Sequence, residues 1–301
     1  MLHLHDSKRL SVDIDIICPP KTDIEKYLSK NAEQYGFNQI KLIDRKSENA
    51  ISKNHAKFYY QVTFNTNSEI DCILLDVLFE DNHYTNLVSL PIESRFLKTE
   101  GEHVFVKAPS IADILGDKLT AFAPNTTGIP YYKRDKLCSM EIIKQLYDIA
   151  SLFDITNDLT VTRDTFQKIA AVELIYRNFD FNNIQHVLDD IYQTSLCICL
   201  KGQLDKEHFT LLQDGIKRIQ NFIHSERYTL DTAVINASKA AYLSVLIANN
   251  FIKIEHFDKN NISELQEVTI GHQLPTKLNK LKKENIEAFY YWWKIYEIMK
   301  N

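Results

Sequence analysis

The chain has 301 residues, 45% hydrophobic and 25% charged, with a net charge of −5. That is the composition of a globular protein with a sizeable core and room for two modest domains. The charge excludes a uniformly basic nucleic-acid coat, and no apolar run approaches the roughly 18 residues of a membrane span.

Only 7 glycines and 7 prolines punctuate the sequence, which implies few tight turns and a large helical share. Five cysteines (Cys18, Cys72, Cys138, Cys197, Cys199) make an odd set without zinc-ligand spacing. With no basic-then-apolar leader at the start, they read as reduced thiols of a cytoplasmic protein.

In chain order, Arg9-Leu10-Ser11-Val12-Asp13-Ile14-Asp15-Ile16-Ile17 comes first and reads as a strand. Alternation sets Asp13 and Asp15 on one face and Val12, Ile14 and Ile16 on the other. The two acid positions are roughly 7 Å apart, within reach of one hard cation such as Mg²⁺. Two solvated acids at a strand end fit the same pattern.

Pro19-Pro20 break the strand, and Thr22-x-x-Glu25 is a capping box. Ile24, Tyr27, Leu28, Ala32 and Tyr35 follow on one helical stripe that Gly36 ends. Strand-like runs come next at 39–45, 56–65, 70–80, 86–90 and 103–107. No Gly-rich P-loop or Rossmann loop is present. Residues 110–301 then read as helical, with helices near 110–124, 140–154, 163–177, 182–199, 205–225, 229–249, 261–267 and 284–300. The expected fold class is therefore α+β, with a small mixed sheet core over 1–109 and a helical region over 110–301. The last helix, rich in Phe289, Tyr290, Tyr291, Trp292, Trp293 and Tyr296, is expected to dock on the bundle.

Two residues stand out against these patterns. In the helix opened by Ser110, the stripe of Ile111, Ile114, Leu115, Leu119 and Phe122 includes Lys118. A lysine there must snorkel, meet a carboxylate or face a polar cavity, where it could neutralise a triphosphate. Asp76 is the one charge inside the apolar run Ile73-Leu74-Leu75-Asp76-Val77-Leu78-Phe79. Beside the Asp13/Asp15 strand it would complete a three-carboxylate set suited to metal-assisted phosphoryl chemistry.

Taken together, Arg9, Ser11, Asp13 and Asp15, then Asp76, then Leu115, Lys118, Leu119 and Ala121, then Leu146, Tyr147, Asp148 and Ile149 form an ordered set. It resembles the AbiEii/AbiGii toxin family of polymerase-β-like nucleotidyltransferases over the first half of the chain. The resemblance implies metal-dependent transfer of a nucleoside monophosphate from an NTP to an acceptor, a tRNA end in some members. It further implies Asp13 and Asp15 as ligands of Mg²⁺ or Mn²⁺ and Asp76 as the third acid. Arg9, Ser11 and Lys118 would then bind phosphate, with Asp148 completing the site. A toxin of this kind implies an antitoxin protein as partner. The family's Gly-Gly/Ser-Thr loop is expected shortly before Arg9, where this sequence reads Met1-Leu2-His3-Leu4-His5-Asp6, and its Arg-Asp pair is replaced by Lys144-Gln145. A second reading therefore stands beside the first: a catalytically degenerate protein of this fold that binds nucleotide, RNA or a protein partner.

Other residues read more plainly. Asp148 alone is a polar-face acid opposite Ile142, Leu146, Ala150 and Phe153. His3 and His5 lack a third metal ligand. Lys133 and Arg134 suit a solvated loop, and Lys277, Lys280, Lys282 and Lys283 a charged surface, although either group could meet RNA phosphates.

Overall fold

A computed structural model describes residues 3, 8–11, 13–24, 26–27, 39–45, 53–61, 70–94, 98, 100–180, 182–224 and 226–300. The chain forms two compact units, one spanning Arg9–His83 and the other combining Leu2–Lys8 with Tyr84–Asn301.

The first unit is built on four strands, β1 (Asp13–Cys18), β2 (Gln39–Arg45), β3 (Lys53–Gln61) and β4 (Ile70–Phe79), in the order β1-β4-β3-β2. β1 runs parallel to β4, while β3 is antiparallel to both β4 and β2. The sheet is therefore mixed. β4 lies between two partners, which explains its nearly unbroken apolar sequence. Its Leu75 and Val77 are buried and share register with Ile14 and Ile16 of β1, so these apolar residues share one face of the β1–β4 pair. Asp15 and Asp76 alternate with them on the other. After Pro19 the chain turns, with the Thr22 amide donating to the Pro19 carbonyl at 3.0 Å, and helical backbone begins at the buried Ile24. The rest of the expected stripe, Leu28, Ala32 and Tyr35, its closing Gly36 and the capping Glu25 lie outside the described residues.

In the second unit a hairpin of β5 (Leu87–Pro91) and β6 (Phe105–Pro109) precedes the helices. Helix α1 (Ile111–Ala121) starts at Ser110, whose hydroxyl accepts from the Asp113 amide at 3.2 Å. Asp113 is itself fully buried and takes hydrogen bonds from four donors, the Thr85 and Asn86 amides and the Ser110 and Thr165 hydroxyls. A carboxylate this deep is tolerable only because it is satisfied on every side.

The polar segment after α1, legible in sequence only as a loop, is packed in. Thr126 and Thr127 are buried, and Asp190 accepts from the Asn125 amide, the Asn125 side chain and the Thr126 hydroxyl at 2.7–2.9 Å. Gly128 closes the turn where only glycine fits, because a Cβ there would lie 2.5 Å from the Ala123 nitrogen. A two-residue hairpin, β7 (Tyr132–Lys133) and β8 (Lys136–Leu137), then leads into α2 (Ser139–Phe153).

Helices α3 (Thr160–Tyr176), α4 (Ile184–Cys199), α5 (Lys206–Arg218) and α6 (Leu230–Ala248) complete the bundle. α6 is apolar on nearly every side and lies in its centre, as an all-round hydrophobic helix must. Its buried Lys239 is held by Asp154 at 2.7 Å and Glu287 at 3.1 Å. After the short helices α7 (Ile262–Glu267) and α8 (Leu281–Glu284), α9 (Ile286–Lys300) docks its aromatic residues as expected. Trp292 packs edge-on to Tyr192 at 5.5 Å, and Tyr291 meets Tyr242 at 5.7 Å. A small mixed sheet with a helical bundle is thus the α+β architecture the sequence implies.

Candidate functional site

In the first unit, the β1–β4 register makes Asp15 and Asp76 direct Cα partners on neighbouring parallel strands. Adjacent strands are about 4.8 Å apart, so the sheet itself brings these two acids together. His55 of β3 is the next register partner of Asp76, and position 13 pairs with Leu74. Asp15 is exposed and Asp76 half-buried. Two like charges side by side repel and give no stability by themselves. They suit a site that receives positive charge, and an all-oxygen donor pair fits a hard divalent cation. Among the described residues no group of three or more His, Cys, Asp or Glu side chains is arranged to hold a metal ion. Arg9 donates to the neighbouring Leu10 carbonyl at 3.0 Å, and Ser11 is exposed.

The second unit resolves the misplaced lysine. Lys118 on α1 meets Asp148 on α2, Nζ to Oδ2, at 3.5 Å, with both side chains largely covered. The carboxylate-partner alternative is thus the one realised, and Asp148 is not the plain polar-face acid its helix pattern suggested.

Four residues around this pair were not singled out from the sequence. Asp117, beside Lys118, accepts from the Tyr84 hydroxyl at 3.0 Å. Burial pushes its carboxyl up, and this outweighs the opposing pull of Lys118 and Tyr84. Next to Asp148, the Tyr147 hydroxyl donates to Glu226 at 2.6 Å, and the other Glu226 oxygen meets Lys8 at 2.6 Å. Burial would raise the Glu226 carboxyl, but the hydrogen bonds from Lys8 and Tyr147 prevail and hold it below the ordinary range. The Asp117-Lys118 dipeptide was a visible signal. Glu226, 79 residues from Tyr147 and 218 from Lys8, left none.

The remaining sequence candidates fall elsewhere. His3 is half-buried, and burial lowers its pKa. His5 lies outside the described residues. Lys133 and Arg134 are exposed at the β7–β8 turn, where Arg134 has a φ of 55°. Lys282 donates to the carbonyls of Gln266 and Val268 at the end of α7, a structural use of that cationic cluster. Cys18, Cys138, Cys197 and Cys199 are free thiols, and burial pushes both Cys197 and Cys199 up to about 12, away from reactive thiolates. No helix among the described residues is long and apolar enough to cross a membrane.

The chain thus pairs two acids by register on the sheet of its first unit and, in its helical unit, sets an inward lysine against an acid. A family model described as "Nucleotidyl transferase AbiEii toxin, Type IV TA system" matches residues 1–233. The chain belongs to that family. No curated protein matches its sequence.

Proposed function

We propose that this protein transfers a nucleoside monophosphate from an NTP to an RNA acceptor, such as a tRNA end, in the cytoplasm. It would act as the toxin of a pair whose antitoxin is a second protein. The observation that carries the reading is the Asp15–Asp76 register pair, supported by the Lys118–Asp148 pair and by the family match.

In this reading Asp13 and Asp15 hold Mg²⁺ or Mn²⁺, and Asp76 is either a further ligand or the base. The cation, when bound, supplies charge neutralisation and Lewis acidity at the phosphates. Arg9, Ser11 and Lys118 hold the triphosphate. The acceptor hydroxyl loses its proton to the base, its oxygen bonds to the α-phosphorus, and the bond from that phosphorus to the β-bridging oxygen breaks. Pyrophosphate leaves with the electron pair, and Lys118 neutralises the charge that develops on it. Asp148 keeps the lysine in place until the more highly charged triphosphate takes over its ammonium group.

Titration calorimetry with each NTP and Mg²⁺ tests the binding half. The wild type should bind at least one NTP, and Lys118→Ala should weaken that binding about tenfold, the equivalent of ~1.4 kcal/mol. No heat with any NTP would sink the proposal. Binding without transfer would move the chain to the catalytically degenerate reading.

A further inference from the structure

The segment that ends at Lys8 and the one that begins at Tyr84 both belong to the helical unit. Each is tied to a helix that carries one member of the Lys118–Asp148 pair. After His83, the Tyr84 hydroxyl donates to Asp117 at 3.0 Å, and the Thr85 and Asn86 amides donate to Asp113 at 2.7 and 3.1 Å, all on α1. Before Arg9, the Lys8 carbonyl accepts from the His224 amide at 2.5 Å, and the Lys8 ammonium meets Glu226. Glu226 takes its second short hydrogen bond from Tyr147, whose chain neighbour is Asp148 on α2. Tyr147 is 8% exposed and packs edge-on to Tyr228 at 5.6 Å, so its hydroxyl has little freedom to move.

An exposed lysine–glutamate pair alone would carry no weight, since such pairs contribute little. This one has a third member, and that member is set in the core.

We infer that Glu226 is a positioning residue, joining the Lys8 segment to the turn of α2 that carries Asp148 and, through Asp148, setting the Lys118 ammonium group. The inference deepens the proposed nucleotidyl transfer and rests on it. Glu226 touches no substrate in this account. It fixes Lys8 on one side and the Tyr147–Asp148 turn on the other, so that a disturbance at either end reaches its partner.

The test uses the full chain with Glu226→Gln, Tyr147→Phe and the double variant. In steady-state transfer assays with NTP and RNA, each single change should lower kcat about tenfold with KM for NTP held within about twofold. The double should lose no more than the worse single, because the residues act as one chain. A purely structural role would leave kcat intact or make the two losses multiply, and either result overturns the inference.

Hydrogen exchange supplies a readout independent of activity. Tyr147→Phe should speed exchange at Lys8 and at His224, which Glu226 and the Lys8 carbonyl link to that hydroxyl. Unchanged exchange there also overturns the inference. A wild type that transfers nothing would defeat the proposed function, while the exchange result would still decide whether Glu226 couples these two segments.

Discussion

Asp15→Asn should abolish nucleotide transfer while leaving the protein folded. The substitution preserves shape and removes one negative charge from a residue whose register partner is Asp76. For catalysis the same charge is needed to hold the cation against the phosphates. Its loss should lower kcat by roughly a thousandfold, or about 4 kcal/mol of barrier. Asp13→Ala and Asp76→Asn should fall in the same class. Transfer rates and thermal midpoints measured on the same preparations check this. An active Asp15→Asn, or one inactive only because it has unfolded, would count against the acid pair as the catalytic centre.

Asp113→Ala should produce the largest loss of stability, roughly 2–4 kcal/mol, because it removes a buried carboxylate on which four donors converge, the buried Thr165 hydroxyl among them. The Thr85 and Asn86 amides and the Ser110 and Thr165 hydroxyls all converge on this buried carboxylate. Burial pushes the Asp113 carboxyl up, but these four hydrogen bonds outweigh it and hold the group below the usual carboxylate range. The sign of the pH dependence follows from that depression. The stabilisation is fully present above the unfolded-state value near 4. It is lost as pH falls through the lower folded-state value, where the carboxyl must take up a proton. Denaturant unfolding at neutral pH should show the full deficit for Asp113→Ala. Asp113→Asn should show a flatter acid limb than the wild type. Equal stabilities at neutral pH would mean that the four hydrogen bonds do not anchor the start of α1.

Local pattern carried most of the architecture. Alternating and apolar runs mark β1, β2, β4 and β5, three-to-four spacing marks α1 and α2, and a long apolar run marks α6, because these signals follow directly from which faces are buried. The start of β3 was harder to see. Lys53, Asn54 and His55 fall before the strand-like run at 56–65, yet they pair with Arg45, Asp44 and Ile43. Lys118 was legible as a conflict within its own helix. Its partner was not, since Asp148 alone looks like any solvated acid on the polar side of α2. Glu226 and Asp190 left no trace at all, because each acts on chain segments far away in sequence. The loop at 125–130 looked solvated for the same reason: what buries it, Asp190, comes from a different helix.

The central claim is transfer of a nucleoside monophosphate, and the most direct measurement follows the label of two otherwise identical NTPs. Wild-type protein is incubated with total RNA and Mg²⁺, once with the radiolabel on the α-phosphate and once on the γ-phosphate. The account predicts that RNA gains the α label only, that pyrophosphate carries the γ label away, and that Asp13→Ala gives neither product. Transfer of the γ label to RNA, or equal labelling by wild type and Asp13→Ala, would contradict it.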